Sequence, residues 1–274
     1  MTSSFVTQPT ENLSTNRGLL DGKVAVITGG GNGIGRAMAL SFASQGARVV
    51  IADLDQVGAN KVTAEIEAAG GSALAVDVDI VNSLQVEAMW QKTLNWGGRV
   101  DVLVNNAAIG HNQPFLSISL QDWNRLLEVV LTGTFICAQQ GARIMAQQKA
   151  GSIINIASIS GQRGAQGRAA YGVAKAGVIQ LTLAMAVELA ELGIRVNAIS
   201  PGPVDTLQSR AAHTQATREA YLSRIPLARY GTCEEIAAAA LFLASDQSSF
   251  VHGHVLNVDG GYQATGLVFD PDAE

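Results

Sequence analysis

VAVITGGGNGIGR, residues 24–36, joins a short apolar run to five glycines crowded into seven positions. The run lacks the alternation of a half-wetted strand and reads as one buried on both faces, the habit of parallel sheets. The glycine turn after it decides the fold. Glycines at positions 29–35 let the chain turn tightly and let backbone N–H groups approach a pyrophosphate. The positive end of the next helix then favours the negative charge. Gly29, Asn32, Gly33, Ile34 and Gly35 are the candidate phosphate-side contacts.

Outward from this turn the pattern repeats. Apolar runs recur at 49–52, 73–76, 100–104, 153–156, 196–199 and 255–258. Between them lie segments of helical spacing at 34–45, 60–69, 84–96, 122–148, 168–192 and 233–244. Strand–helix repetition of this kind calls for right-handed crossovers and predicts a three-layer, doubly wound α/β fold on a seven-stranded parallel sheet. Thr232 with Glu235 three residues later is a capping box, which makes Cys233 the first residue of the last helix. Residues 201–231 are the longest irregular connection, and long loops in compact domains tend to be functional. The expected layout is a flexible arm over 1–20, one domain over 21–265 and a tail over 266–274.

Composition narrows the function classes. The 274 residues are 47% hydrophobic and 15% charged, with a net charge of −5. That balance gives no electrostatic reason to expect nucleic acid or an anionic membrane as partner. No apolar run is expected to span a bilayer, because the greasy 178–194 stretch carries Gln180, Glu188 and Glu191. The N-terminus has no apolar segment of the secretory kind. Cys137 and Cys233 are the only cysteines and lie far apart, which fits a reducing compartment. A cytoplasmic protein is expected. The four histidines have no metal-like partners in sequence, and no metal site is expected.

The second run, VVIADLD, ends on Asp53, 18 positions after Gly35. A carboxylate there can accept hydrogen bonds from adenosine ribose hydroxyls and would repel a 2′-phosphate. No Lys or Arg replaces Asn32 in the glycine turn to offset that repulsion. NAD rather than NADP is the expected cofactor. Asp55 is a weaker candidate for the ribose.

AAYGVAKAGV, residues 169–178, carries one phenol and one ammonium four positions apart among small or aliphatic residues. On a helix Tyr171 and Lys175 stack on one face. An isolated pair of this kind is usually an aromatic packed on a helix with a lysine reaching water. Here it has company. The TGxxxGIG spacing, NNAA at 105–108, Ser158, YxxxK at 171–175 and PGPVDT at 201–206 resemble the single-domain branch of the short-chain dehydrogenase/reductase family over residues 21–262.

The resemblance implies a Rossmann-like domain in which Tyr171 is base in alcohol oxidation and acid in carbonyl reduction. A neighbouring ammonium favours phenolate, so Lys175 is expected to lower the phenol pKa by roughly 1–3 units. Lys175 is also expected to hold the nicotinamide ribose, and Ser158 to hydrogen-bond the substrate oxygen. Carried over residue by residue, Asp77 and Val78 match the adenine-contacting pair and Asn105 an adenosine-side contact. Val204 and Thr206 match residues that fix the carboxamide. The last helix and strand resemble elements used for tetramer contacts in many members. One departure matters: VVLTG puts Val130 where the family usually has an Asn that binds a water through its backbone.

The implied activity is NAD-dependent interconversion of a secondary alcohol (a polyol, sugar or cyclic alcohol) and its ketone. A 3-oxoacyl thioester reductase, an epimerase or dehydratase, and a nucleotide-binding regulatory protein are the alternatives. The substrate pocket is expected from residues 108–116, 159–168 and 204–228, where Gln162, Arg163, Gln166 and Arg168 mildly favour a polyol or sugar.

Overall fold

The computed structural model describes residues 18–110 and 112–266. Residues 1–17 of the arm expected over 1–20, residues 267–274 of the expected tail and His111 lie outside the described residues. Strands β1 (Val24–Thr28), β2 (Arg48–Asp53), β3 (Ser72–Asp77), β4 (Val102–Asn105), β5 (Gly151–Ile156), β6 (Ile194–Pro201) and β7 (Val255–Val258) form one parallel sheet. Their spatial order is β3-β2-β1-β4-β5-β6-β7. The chain runs outward from β1 to β3, then returns to place β4 on the other side of β1. That reversal opens a crevice at the carboxyl ends of β1 and β4, where ligands bind in such sheets.

Alternation along the strands explains why their sequences are apolar throughout. Ala25, Ile27, Val49, Ile51, Val102, Val104 and Ile154 face one layer of helices. That layer holds α1 (Gly33–Ser44), α2 (Gln56–Ala68) and α9 (Cys233–Ala244), with Phe42, Val62 and Ile236 fully buried. Val26, Val50, Leu103, Ile153 and Val196 face the opposite layer. There α3 (Ser83–Gly97), α5 (Gly133–Gln148) and α6 (Ala169–Leu189) contribute Met89, Cys137 and Ala186. Each fully buried Val, Ile or Leu stabilises the fold by about 1.5–3 kcal/mol.

Four sequence expectations change. Leu20 is fully buried and its N–H donates to the Gln45 carbonyl at 2.9 Å, so the packed domain begins before residue 21. The helix expected over 122–148 is two helices, α4 (Leu120–Leu127) and α5, joined by a π-helical turn, Glu128–Thr132. Within 201–231 the chain forms two short helices, α7 (Leu207–Ala212) and α8 (Gln215–Leu222). Helix α6 and the turn after it, Ala169–Leu192, are long and apolar enough by length and composition to cross a membrane, against the expectation. In the fold this stretch packs on β5, β6 and α4. The capping box is present: Thr232 Oγ1 accepts from the Glu235 N–H, and the Glu235 carboxylate accepts from the Thr232 N–H.

Candidate active site

One cleft of about 1280 Å³ opens at the β1/β4 crevice. Its floor is the glycine turn. Gly29 has φ +64°, and its N–H donates to the Ala52 carbonyl at 2.8 Å. A Cβ on Gly35 would overlap the Gly29 carbonyl oxygen, so the first turn of α1 sits on the loop only because that side chain is absent. Asn32, the N-cap of α1, makes no side-chain cap. The amides of Gly33, Ile34 and Gly35 therefore lack a side-chain acceptor and border the cleft. Uncapped first-turn amides beside a concave space suit a phosphate.

Asp53 closes this end. Its Oδ2 accepts from the Gly31 N–H at 2.8 Å and its Oδ1 from the Asp55 N–H at 2.9 Å, which ties the end of β2 to the glycine turn. Asn106 ties the turn to β4. Its Nδ2 donates to the carbonyls of Thr28 (3.1 Å) and Gly29 (2.9 Å), and its backbone N–H donates to Thr28 Oγ1 at 3.0 Å. The cleft's size, glycine floor and ribose-ready carboxylate fit an extended dinucleotide.

Two residues carried over by resemblance stand elsewhere. Asn105 is buried in the sheet, where its Nδ2 donates to Asn155 Oδ1 at 2.8 Å, and it does not line the cleft. Its neighbour Asn106 does. Because successive strand residues face opposite ways, NNAA offers two candidates, and only the sheet tells which one turns toward the crevice. Asp77 likewise does not border the cleft, whereas Val78 and Asp79 do. Gly29, Asn32, Gly33, Ile34, Gly35, Asp53, Val204 and Thr206 all line it.

At the other end of the cleft, Ser158 follows β5, and Tyr171 and Lys175 project from the first turns of α6. All three border the same space. Lys175 is buried, with its Nζ donating to the Ile156 carbonyl at 2.6 Å and standing 5.8 Å from the Tyr171 ring centroid. With no carboxylate partner among the described residues, burial lowers its pKa to about 8. The expected lowering of the Tyr171 pKa is reversed here. Burial pushes the phenol above its ordinary value, and the Arg168 charge and hydrogen bonding to Ser158 pull it back only in part. The cation acting on the phenol is Arg168, whose guanidinium carbon lies 5.3 Å from the ring centroid.

Val130 lies in the π-helical turn and is fully buried among Ala170, Ala174 and Val178 of α6. Its carbonyl accepts from Thr134 Oγ1 at 2.8 Å. An apolar side chain is accommodated because this position packs under the helix that carries Tyr171 and Lys175. The polar stretch 162–168 divides differently from expectation. Gln162 bonds Asn257, and Arg163 bonds Gln263 and the Thr265 carbonyl. Neither they nor Gln166 line the cleft; Arg168 does.

The chain matches, over residues 29–263, the family described as enoyl-(acyl carrier protein) reductase. It is 42% identical over 244 residues to a 3-oxoacyl-(acyl-carrier-protein) reductase of Synechocystis sp., a match covering 88% of this chain and 97% of the relative. The chain belongs to the short-chain dehydrogenase/reductase family. Another family member, the cis-4-hydroxycyclohexanecarboxylate dehydrogenase of Sinomonas cyclohexanicum, is 41% identical over 245 residues, 88% of this chain and 97% of that one. Among solved structures, a 7α-hydroxysteroid dehydrogenase complexed with NADH and 7-oxo glycochenodeoxycholic acid superposes with a TM-score of 0.86. It shares 37% identity over 88% of this chain and 94% of its own. This short-chain dehydrogenase/reductase is an oxidoreductase acting on CH–OH groups, in a Rossmann-like fold.

Proposed function

We propose that the protein is an NAD-dependent dehydrogenase that interconverts a secondary alcohol and its ketone, with Tyr171 as the acid/base group. One observation carries this reading: Ser158, Tyr171 and Lys175 border the same cleft as the uncapped amides of α1 and the Asp53 carboxylate. Gly33, Ile34 and Gly35 would hold the pyrophosphate, Asp53 the adenosine ribose, Lys175 the nicotinamide ribose, and Val204 and Thr206 the carboxamide. A nicotinamide bound there would supply a hydride acceptor for oxidation and a hydride donor for reduction.

The chain's own residues handle the proton. Tyr171 accepts the hydroxyl proton in oxidation and donates it to the carbonyl oxygen in reduction. Ser158 donates a hydrogen bond to the same oxygen and stabilises the charge developing on it. Since burial holds the Tyr171 proton on, the phenol is ready to act as acid, and its work as base depends on nearby positive charge. Arg168 supplies that charge at 5.3 Å from the ring centroid, and Lys175 stands 5.8 Å from it.

Support for NAD over NADP comes from Asp53, and from Arg36, the one basic residue in the turn, which is paired with Glu65 of α2. For the substrate, a cyclic alcohol is favoured over a polyol or sugar, because Gln162 and Arg163 are engaged in structure while aromatic rings wall the far end of the cleft. Replacing Tyr171 by Phe should lower turnover by about 10²–10⁴-fold with nucleotide binding retained. Turnover near wild type would remove the reading. A 3-oxoacyl thioester reductase is the second reading, favoured by the Synechocystis relative. Assay with an acetoacetyl thioester beside a panel of cyclic alcohols separates the two. We also propose self-association, up to a tetramer, because α5 and α6 leave Phe135, Val173 and Val187 exposed. Sedimentation of the protein measures it.

A further inference from the structure

The cleft is electrically lopsided. Its carboxylates, Asp53, Asp55 and Asp79, lie at the cofactor end after β2 and β3, and its arginines, Arg125 and Arg168, at the substrate end. Arginines near that end mostly have carboxylate partners. Arg125 pairs with Glu128 at 3.0 Å, and Arg218 and Arg210 share Asp205 at 2.8 Å each. Arg168 makes no ion pair among the described residues, although it is half-buried, borders the cleft and lies over the Tyr171 ring at 5.3 Å. A half-buried guanidinium without a counter-charge beside the reacting position is open to a ligand that supplies one. Its planar fork of donors matches a carboxylate with two parallel hydrogen bonds.

The opposite wall is aromatic. His213 and Tyr221 stack with centroids 5.3 Å apart and 25° between planes, and Tyr230 meets both edge-on. Burial first, then the charges of Arg168 and Arg218, holds the His213 imidazole below its ordinary pKa. At neutral pH this wall therefore adds no cation of its own; among the described residues the cleft's unpaired cations are Lys175, whose Nζ is held on the Ile156 carbonyl, and Arg168.

We propose that Arg168 is a carboxylate-binding residue and that the preferred substrates are hydroxy acids and their keto acids. The carboxylate lies on the guanidinium, the carbinol oxygen on Tyr171, and the carbon body against His213 and Tyr221. The proximity of guanidinium and phenol restricts the carboxylate to a few carbons from the carbinol. This inference rests on the reading of Tyr171 as the acid/base group, and it adds the substrate's charge.

The experiment compares 3- and 4-hydroxy acids, open-chain and cyclic, with their methyl esters, using wild type and Arg168→Gln with saturating NAD. Wild type should prefer each turned-over acid to its ester by tenfold or more in kcat/KM. Arg168→Gln should raise KM for the acid about ten- to hundredfold, the range of a lost hydrogen-bonded charge contact, and leave KM for the ester within about threefold, while any loss of kcat through the phenol falls equally on acid and ester. Cyclohexanecarboxylate should inhibit wild type competitively, and its amide should not, a test that needs no variant. Equal wild-type activity on acid and ester, or equal inhibition by carboxylate and amide, overturns the proposal. So does an Arg168→Gln variant whose losses on acid and ester are equal in KM as well as kcat, which would assign Arg168 to tuning the phenol alone. Ester turnover persisting in any of these cases leaves the dehydrogenase reading intact, whereas an active Tyr171→Phe variant removes that reading first.

Discussion

The two ends of the cleft are built by different means. At the cofactor end the contacts are made by or to the backbone: Gly31 N–H to Asp53, Asn106 to the Thr28 and Gly29 carbonyls, Gly29 to Ala52. At the substrate end they run between side chains of a long connection: Arg210 and Arg218 to Asp205, and His213 Nδ1 to the Tyr230 hydroxyl at 3.1 Å. Backbone contacts beside a fully buried sheet tolerate little change. Side-chain pairs with roughly a quarter or more of their surface in water are worth little each and can be exchanged. The contrast sets a half held by backbone contacts against a half held by exchangeable side-chain pairs.

The strongest way to break this contrast is Gly35→Val. The added side chain meets the Gly29 carbonyl, which is backbone and cannot swing aside. Nucleotide affinity should fall about 100-fold or more, beside an overpacking cost of about 1–3 kcal/mol. Fluorescence titration with NADH reads the first effect, and affinity within threefold of wild type would show that the cofactor end is as forgiving as the other.

Lys175→Met probes the join between the two ends. Burial puts the folded-state pKa of Lys175 at about 8, below its ordinary 10.5. Between those values the unfolded chain holds a proton that the folded chain has released, so this group's contribution to stability rises with pH. Below pH 8 both states are charged and the contribution is flat. Tyr171, raised, acts with the opposite sign and only above pH 10. Wild-type apoprotein should therefore gain about 1–2 kcal/mol relative to Lys175→Met between pH 8 and 9.5. Urea unfolding measures the difference, and parallel pH profiles would show that the lysine is not desolvated.

Asp53→Asn sharpens the comparison: it keeps one of the two backbone contacts and removes the charge that would meet the ribose. It should shift the ratio of kcat/KM for NAD over NADP toward NADP by about tenfold, the size of one lost charge-assisted contact. An unchanged ratio would take the ribose role from Asp53. The smallest effect is expected at the other end. Asp205→Asn removes both arginine partners of the α7–α8 segment, yet the melting temperature should stay within about 2 °C, because exposed pairs contribute little. A larger drop would show that the substrate loops are structural after all.

Legibility in the sequence divides along the same line. The glycine turn, Asp53 and the YxxxK pair were legible because each is a local pattern tied to one turn or one helical face. Asn105 and Asn106 were indistinguishable as neighbours, since which of them reaches the cleft depends on the side of β4 that pairs with Asn155. The π-helical turn at Glu128–Thr132 left no sign in a stretch whose periodicity reads as one helix. Arg168 was visible only as one polar residue among four. Its place over Tyr171 required α6 and the loop before it to be folded.

By itself the sequence determined the seven strands, the phosphate turn and the candidate acid/base pair, because periodicity and φ-permissive glycines act over a few residues. Tertiary structure alone decided which polar groups share the cleft and what charge each carries there. Burial shifts Lys175 down and Tyr171 up, and it leaves Arg168 without an ion-pair partner among the described residues. Desolvation depends on everything packed around a group, and no short stretch of chain contains that information.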